Sequence, residues 1–369
     1  MLLPWVSALC YGGTGPYVAV RLREQGETML TGDEVYYGVG PVPTSFHLAA
    51  RKGWLEQAFR RCGARLINLG DIPLMQEKHY THRSPNLIRL GGNFPPFWAR
   101  AGGADTLLVS MSCLPMRVSM VARSGFNMRR GTRGARLAVP VRPAWPVDFF
   151  RLGARLMERG LSSWAGLSDT GFSHVPVEGL CDYSWWEGVT MFLSRPRADF
   201  SGTLEAERKA LMSGAADIVV FTQGRGLPML KNGKFKELFA VPGDAPWRFL
   251  LTNSFPVVTT VSRDLARRRP ELVVLWIKME ILAARWAAAN QRDFLETLSG
   301  CNGIPPDALK DACRPDMAAY FEPGFSAESL ELLRMIRDFL SEEKVIPESF
   351  DLDGWVDTSF WEQALNELK

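Results

Sequence analysis

Cysteine and histidine are too few and too scattered to organise this chain. The six cysteines, Cys10, Cys62, Cys113, Cys181, Cys301 and Cys313, include no C-x-x-C pair, and there are only four histidines. A structural zinc site needs such ligands clustered, so no metal is expected. Widely spaced single thiols fit a reducing compartment better than a disulfide framework. Charge of one sign is also lacking. Lys and Arg number 43 against 40 Asp and Glu, a net of +3, which gives no electrostatic reason to expect nucleic acid. Long uncharged apolar runs are absent too. The longest apolar stretch, Leu272 to Ala289, is interrupted by Lys278, Glu280 and Arg285, so no membrane insertion is expected. The apolar start, Met1 to Gly12, has no basic n-region, and Leu9 before Cys10 is too large for lipoprotein processing. Residues 1–32 are therefore expected to be a poorly organised extension. A cytoplasmic location is expected, or a periplasmic one if the true start codon lies elsewhere.

What the chain does have is length and apolar bulk. Its 369 residues are 46% hydrophobic, with 12 Trp and 21 Phe, enough for two domains and an apolar pocket. From residue 33, β-rich runs alternate with helical ones. Strands are predicted at Glu34–Gly40, Arg65–Leu69 and Thr106–Met111, with a helix over Thr44–Arg61. A second unit starts near Arg136. It has a strand at Leu137–Val141, a helix over Pro143–Met157, a helix over Leu204–Met212 closed by Gly214, and a strand at Asp217–Phe221. This order predicts an α/β protein with parallel sheets. After about residue 245 the pattern reads as mostly helical, with Ser262 and Ser326 as helix caps and Pro270 as a first helical residue. Arg123 to Arg136 holds five arginines, which could bind phosphate but read better as a solvated loop.

The densest chemical signal lies between residues 79 and 97. His79 is a general acid–base for near-neutral pH, and Arg89 offers a planar fork for a two-oxygen anion. Gly91 and Gly92 allow close approach of backbone N–H groups to such an anion, and a helix starting after Asn93 would add its positive end. Phe94, Phe97 and Trp98 could wall an aromatic body. Each feature alone has an ordinary structural explanation, and their closeness in sequence is what raises the functional reading.

The segment His79-Tyr80-Thr81, Pro85, Arg89-Leu90-Gly91-Gly92-Asn93-Phe94-Pro95-Pro96 resembles the 2′-hydroxybiphenyl-2-sulfinate desulfinase-like family of aromatic sulfinate desulfinases. Pro41-Val42-Pro43, Gly53-Trp54-Leu55 and the terminal Leu352-Asp353-Gly354-Trp355 carry the resemblance to both ends. It implies a type II periplasmic-binding-protein fold, two α/β lobes joined by two crossovers around a ligand cleft. The implied lobes are 33–128 with 246–369, and 129–245. It also implies a small aromatic anion as ligand, no cofactor, Arg89 on the anion with Gly91 and Gly92 assisting, and His79 in acid–base chemistry. The family's catalytic cysteine stands immediately before Pro-Val-Pro, where this sequence has Gly40. Gly40 would thus line the substrate site without a nucleophile, and Cys113 is the alternative thiol. The competing expectation is a solute-binding protein for sulfonate, nitrate or taurine-like anions, with an ABC permease as partner if exported.

Overall fold

Two five-stranded sheets of the same wiring carry the chain. The computed structural model describes residues 34–369 except 41, 73–74, 76, 128–132, 142–146, 168–170, 179–204, 223–225, 232, 303–304, 307–308 and 310–315. The extension expected at 1–32 lies outside the described residues. The first sheet comprises β1 (Glu34–Val39), β2 (Arg65–Asn68), β3 (Leu87–Gly91), β4 (Thr106–Ser112) and β10 (Val257–Ser262), in the order β2-β1-β3-β10-β4. The second comprises β5 (Val118–Arg123), β6 (Arg136–Val141), β7 (Ser173–Glu178), β8 (Ile218–Phe221) and β9 (Phe235–Val241), in the order β7-β6-β8-β5-β9.

Neither sheet is the purely parallel one that local strand–helix order suggests. β1 runs parallel to β2 and β3, as β6 does to β7 and β8, but β10 is antiparallel to β3 and β4, and β5 to β8 and β9. The reason is long-range. The chain leaves the first sheet after β4 and returns only at β10, which inserts between β3 and β4 from the far side of the second sheet. β10 also falls in the stretch read from sequence as mostly helical. β5 lies upstream of residue 128 yet pairs within the second sheet.

The helices are α1 (Ser45–Arg51), α2 (Trp54–Arg61), α3 (Lys78–Thr81), α4 (Phe94–Ala101), α5 (Phe149–Trp164), α6 (Glu205–Ser213), α7 (Leu227–Leu230), α8 (Arg263–Arg268), α9 (Pro270–Ala289), α10 (Gln291–Asn302), α11 (Ala327–Glu342) and α12 (Ser359–Asn366). The single helix expected over 44–61 is two, broken at Gly53 with φ +72°. The helix expected from Pro143 begins instead at Phe149, where Asp148 accepts from the Phe150 and Arg151 N–H groups; 142–146 lie outside the described residues. Ser262 and Ser326 cap α8 and α11 as read, the latter in a reciprocal box with Ser329. Among the described residues no helix is long and apolar enough to cross a membrane.

Two faces of the first sheet bury different cores. One packs Val35, Val39, Ile88, Leu90 and Val261 beneath α1 and α9, where Phe46 stacks on Trp276 at 4.8 Å between ring centres. The other continues into the second sheet: Phe94, Leu108 and Val258 share a core with Met120, Leu137 and the α11 stripe of Leu332, Leu333, Ile336, Phe339 and Leu340. The terminal Trp355 enters that core, donating its indole N–H to Thr106 Oγ1 at 3.1 Å. In the arginine-rich stretch, Arg123 and Arg136 both bind Asp217, at 3.1 and 2.9 Å. Those guanidiniums hold the Asp217 carboxyl below its usual range, with the Arg136 hydrogen bond the largest influence. Arg129 and Arg130 lie outside the described residues.

Candidate functional site

Alternation along β1 and β3 places Gly38, Gly40, Arg89 and Gly91 on the face opposite Val39 and Leu90. Gly38 is the register partner of Arg89 on β1. Gly40 and Gly91 lie at the carboxyl ends of two parallel strands, where ligands bind in open α/β sheets. The missing side chain at Gly91 leaves room for the Arg89 guanidinium. A Cβ at Gly91 would stand 3.1 and 3.2 Å from Arg89 Nη2 and Cζ, and 3.3 Å from the Gly40 nitrogen. Gly40, Gly91 and Arg89 are therefore neighbours in the fold.

Arg89 is 1% exposed, on the middle strand of its sheet. Nη1 donates to the Gly92 carbonyl at 2.5 Å and Nη2 lies 3.2 Å from His79 Nε2, while Nε has no partner. No carboxylate pairs with this cation among the described residues. Burial pushes its pKa down to about 9, with Tyr80 acting weakly the other way. His79, on the short α3, is fully buried. Desolvation first, then the charges of Arg89 and His82, hold it well below the usual imidazole value. It is therefore a neutral ring whose Nε2 accepts from Arg89, which leaves Nδ1 as the protonated nitrogen.

Gly38 is what lets that ring approach the sheet so closely. A Cβ there would stand 2.6 Å from His79 Nδ1 and 3.2 Å from Leu69 Cδ1. Gly38→Ala should drive the imidazole off Arg89 and cost about 1–3 kcal/mol by overpacking. Chemical denaturation measures that cost, and an unchanged midpoint would show that the ring has room to yield.

Two histidines missed in the sequence reading belong here. His82 follows His79 by three residues at the end of α3, is 3% exposed, and takes a left-handed φ of 54°. Burial and the Arg89 charge keep it neutral, and the Tyr80 carbonyl is the group that favours its proton. Its spacing from His79 was the available signal. His47 is buried beside Gly40, with Nδ1 3.1 Å from Thr44 Oγ1, and burial takes its pKa down to about 3.

The remaining expected residues are placed differently. The amide end of α4 does not wait for an anion, because Asn253, in the crossover from the second sheet, already takes it. Its carbonyl accepts from Asn93 N–H at 2.8 Å and its Oδ1 from Phe94 N–H at 3.0 Å. Gly92 serves that contact, since a Cβ there would stand 2.7 Å from the Asn253 carbonyl oxygen. Phe94 is fully buried against Phe339, 5.9 Å between ring centres, in the core and not on an open wall. Trp98 packs edge-on to Phe149 and lines a separate cavity of about 670 Å³ with Arg83, Lys344 and Ile346. Cys113 is buried beyond the end of β4, and desolvation pushes its thiol up to about 12, so it offers no thiolate.

No family model matches the chain. It is 24% identical over 367 residues to 2′-hydroxybiphenyl-2-sulfinate desulfinase of Rhodococcus erythropolis, covering 90% of this chain and 94% of that protein. The desulfurization enzyme DSZB, solved as a cysteine-to-serine mutant in complex with biphenyl-2-sulfinic acid, matches with a TM-score of 0.64. The identity is 20%, over 91% of this chain and 99% of that one. A structure described as the periplasmic sulfonate-binding protein SsuA of Methylobacillus flagellatus KT matches with a TM-score of 0.66 at 14% identity, over 91% of this chain and 94% of that one. Two sheets, each with its inserted antiparallel strand, give this chain the periplasmic-binding-protein fold, and over nine-tenths of its length its sequence is distantly similar to 2′-hydroxybiphenyl-2-sulfinate desulfinase.

Proposed function

We propose that the chain binds a small aromatic sulfinate, or a similar oxyanion, on Arg89 and acts on it with His79 as the proton-moving group. The observation that carries this is a fully buried guanidinium with no carboxylate partner among the described residues. An uncompensated buried charge costs several kcal/mol, and a bound anion is the natural compensation. Docking the anion would draw Arg89 Nη2 away from His79 and release Nε2 as a base. The reaction in view is hydrolysis: an aryl sulfinate and water give the arene and bisulfite, with carbon gaining a proton and sulfur a hydroxyl. His79 would take the proton of the attacking water. Gly40 supplies no thiol, so the chemistry differs from that of a cysteine enzyme.

That same glycine favours a second reading, binding without turnover of a sulfonate, nitrate or taurine-like anion. An intracellular location goes with the enzyme, and an exported one, with an ABC permease as partner, goes with the binder. Calorimetry with biphenyl-2-sulfinate, followed by a sulfite-release assay on the same samples, separates them. Heat of binding with released sulfite supports the enzyme, and heat alone supports the binder. No binding across aryl sulfinates and alkanesulfonates removes both.

The basic cluster sets a pH dependence. Arg89 from β3 and His79 and His82 from α3 are its charged and titratable groups, with Tyr80 beside them. The flanking charges are engaged elsewhere, Glu34 of β1 with Arg65 and Arg100 of α4 with Asp105. Burial is the main reason both imidazoles stay neutral and the Arg89 charge adds to it; neutralising Arg89 with an anion removes that second contribution. Their pKa values rise on binding, so the complex takes up protons and affinity strengthens as pH falls. Binding heats compared across buffers of different ionisation enthalpy, at successively lower pH, should give proton uptake, and proton release would contradict it.

A further inference from the structure

We propose that Thr260 is an anion-binding residue of this site, its hydroxyl donating to an oxygen of the ion that Arg89 holds. The proposal rests on the anion reading above and extends it to a residue on a different strand. Thr260 lies on β10 directly opposite Arg89 in the antiparallel β3–β10 register. Directly opposed residues share a face, with Cβ atoms about 4.5–5.5 Å apart. Its neighbour Val261 packs with Ile88 in the core on the opposite face, which fixes Thr260 on the Arg89 side.

The hydroxyl is 1% exposed as a residue and its Oγ1 has no hydrogen-bond partner among the described residues. Other buried threonines of this sheet are answered. Thr106 Oγ1 accepts from the Trp355 indole, and Thr259 Oγ1 from Ser110. A buried hydroxyl left unmade is costly, and valine, of the same shape and common in strands, would avoid that cost. Val257, Val258 and Val261 surround it on β10. Arg89 Nε is likewise a donor of this face with no partner among the described residues. A guanidinium and a hydroxyl on adjacent strands suit an anion with at least two oxygens, one for each. A sulfinate or a sulfonate has them; a halide does not.

The test compares the full-length chain with Thr260→Val and Thr260→Ser, using biphenyl-2-sulfinate and chloride as probes in calorimetry and thermal melts. Thr260→Val should bind the sulfinate about tenfold more weakly, one such hydrogen bond to a charged group. Its ligand-free melting temperature should be unchanged or higher, and Thr260→Ser should hold most of the affinity. Equal sulfinate affinity for the valine variant would overturn this inference alone. A ligand-free melt that falls in both variants together with affinity would make Thr260 structural and likewise overturn it. Absence of any sulfinate binding in the unsubstituted chain would overturn the anion reading with it.

Discussion

Arg89→Met should raise the thermal stability of the ligand-free protein while removing its affinity for oxyanions. The two effects have one cause. Arg89 is buried on the middle strand, pays full desolvation, and among the described residues recovers only the Gly92 carbonyl and the His79 ring. Replacing a buried charge by an apolar side chain of similar length is commonly neutral or stabilising by about 1–4 kcal/mol. Removing the cation from a buried, charge-assisted contact with a ligand costs about 2–5 kcal/mol, roughly thirty-fold to several-thousand-fold in affinity. A structural arginine would behave oppositely, with a lower melting temperature and little change in binding. Melts with and without biphenyl-2-sulfinate read both effects in one experiment. A destabilised variant that still gains stability from the sulfinate would remove Arg89 from the site.

The sequence displayed the chemistry of this site better than its surroundings. Arg89, His79 and the Gly91–Gly92 pair are close along the chain, and the fold keeps them close through one short helix and one strand. The parts that sequence reading missed are those brought in from a distance. Thr260 arrives on β10, whose place beside β3 depends on a crossover through the whole second sheet. Asn253, which takes the amide end of α4, comes from that crossover. Neither has a local pattern to announce it. Phe94 shows the converse: its aromatic character suited a ligand wall, but at a helix start above the shared core it is buried against Phe339. The α/β class was legible from alternating runs, whereas the antiparallel strand in each sheet was not, because direction is set by where the chain returns and not by which residues compose the strand.

Gly40→Cys should create sulfite release from aryl sulfinates, or raise it, by on the order of a hundredfold over the unsubstituted chain, the lower end of what a positioned proton donor supplies. The backbone is ready for the substitution. Gly40 follows β1 with its N–H donated to the Leu90 carbonyl at 2.9 Å, and its nitrogen lies against Gly91, which in turn lies against the Arg89 guanidinium. A side chain at 40 would share the Arg89 face of the sheet, by the same alternation that places Gly38 there. The buried Arg89 charge would lower the pKa of a thiol placed beside it, the opposite of what burial alone does at Cys113. His47, buried and neutral, is bound to the Gly40 backbone and to the Thr44 hydroxyl, and so holds the backbone at residue 40 in place. Gly40→Ser is the control, since a hydroxyl fills the same space with far weaker acidity. Sulfite release by the cysteine variant and not by the serine variant would mean that the scaffold retains everything for desulfination except the thiol. Tight sulfinate binding with no release from either would mean that the cleft holds its anion in a pose that chemistry at residue 40 cannot use, and the binding reading would then stand alone.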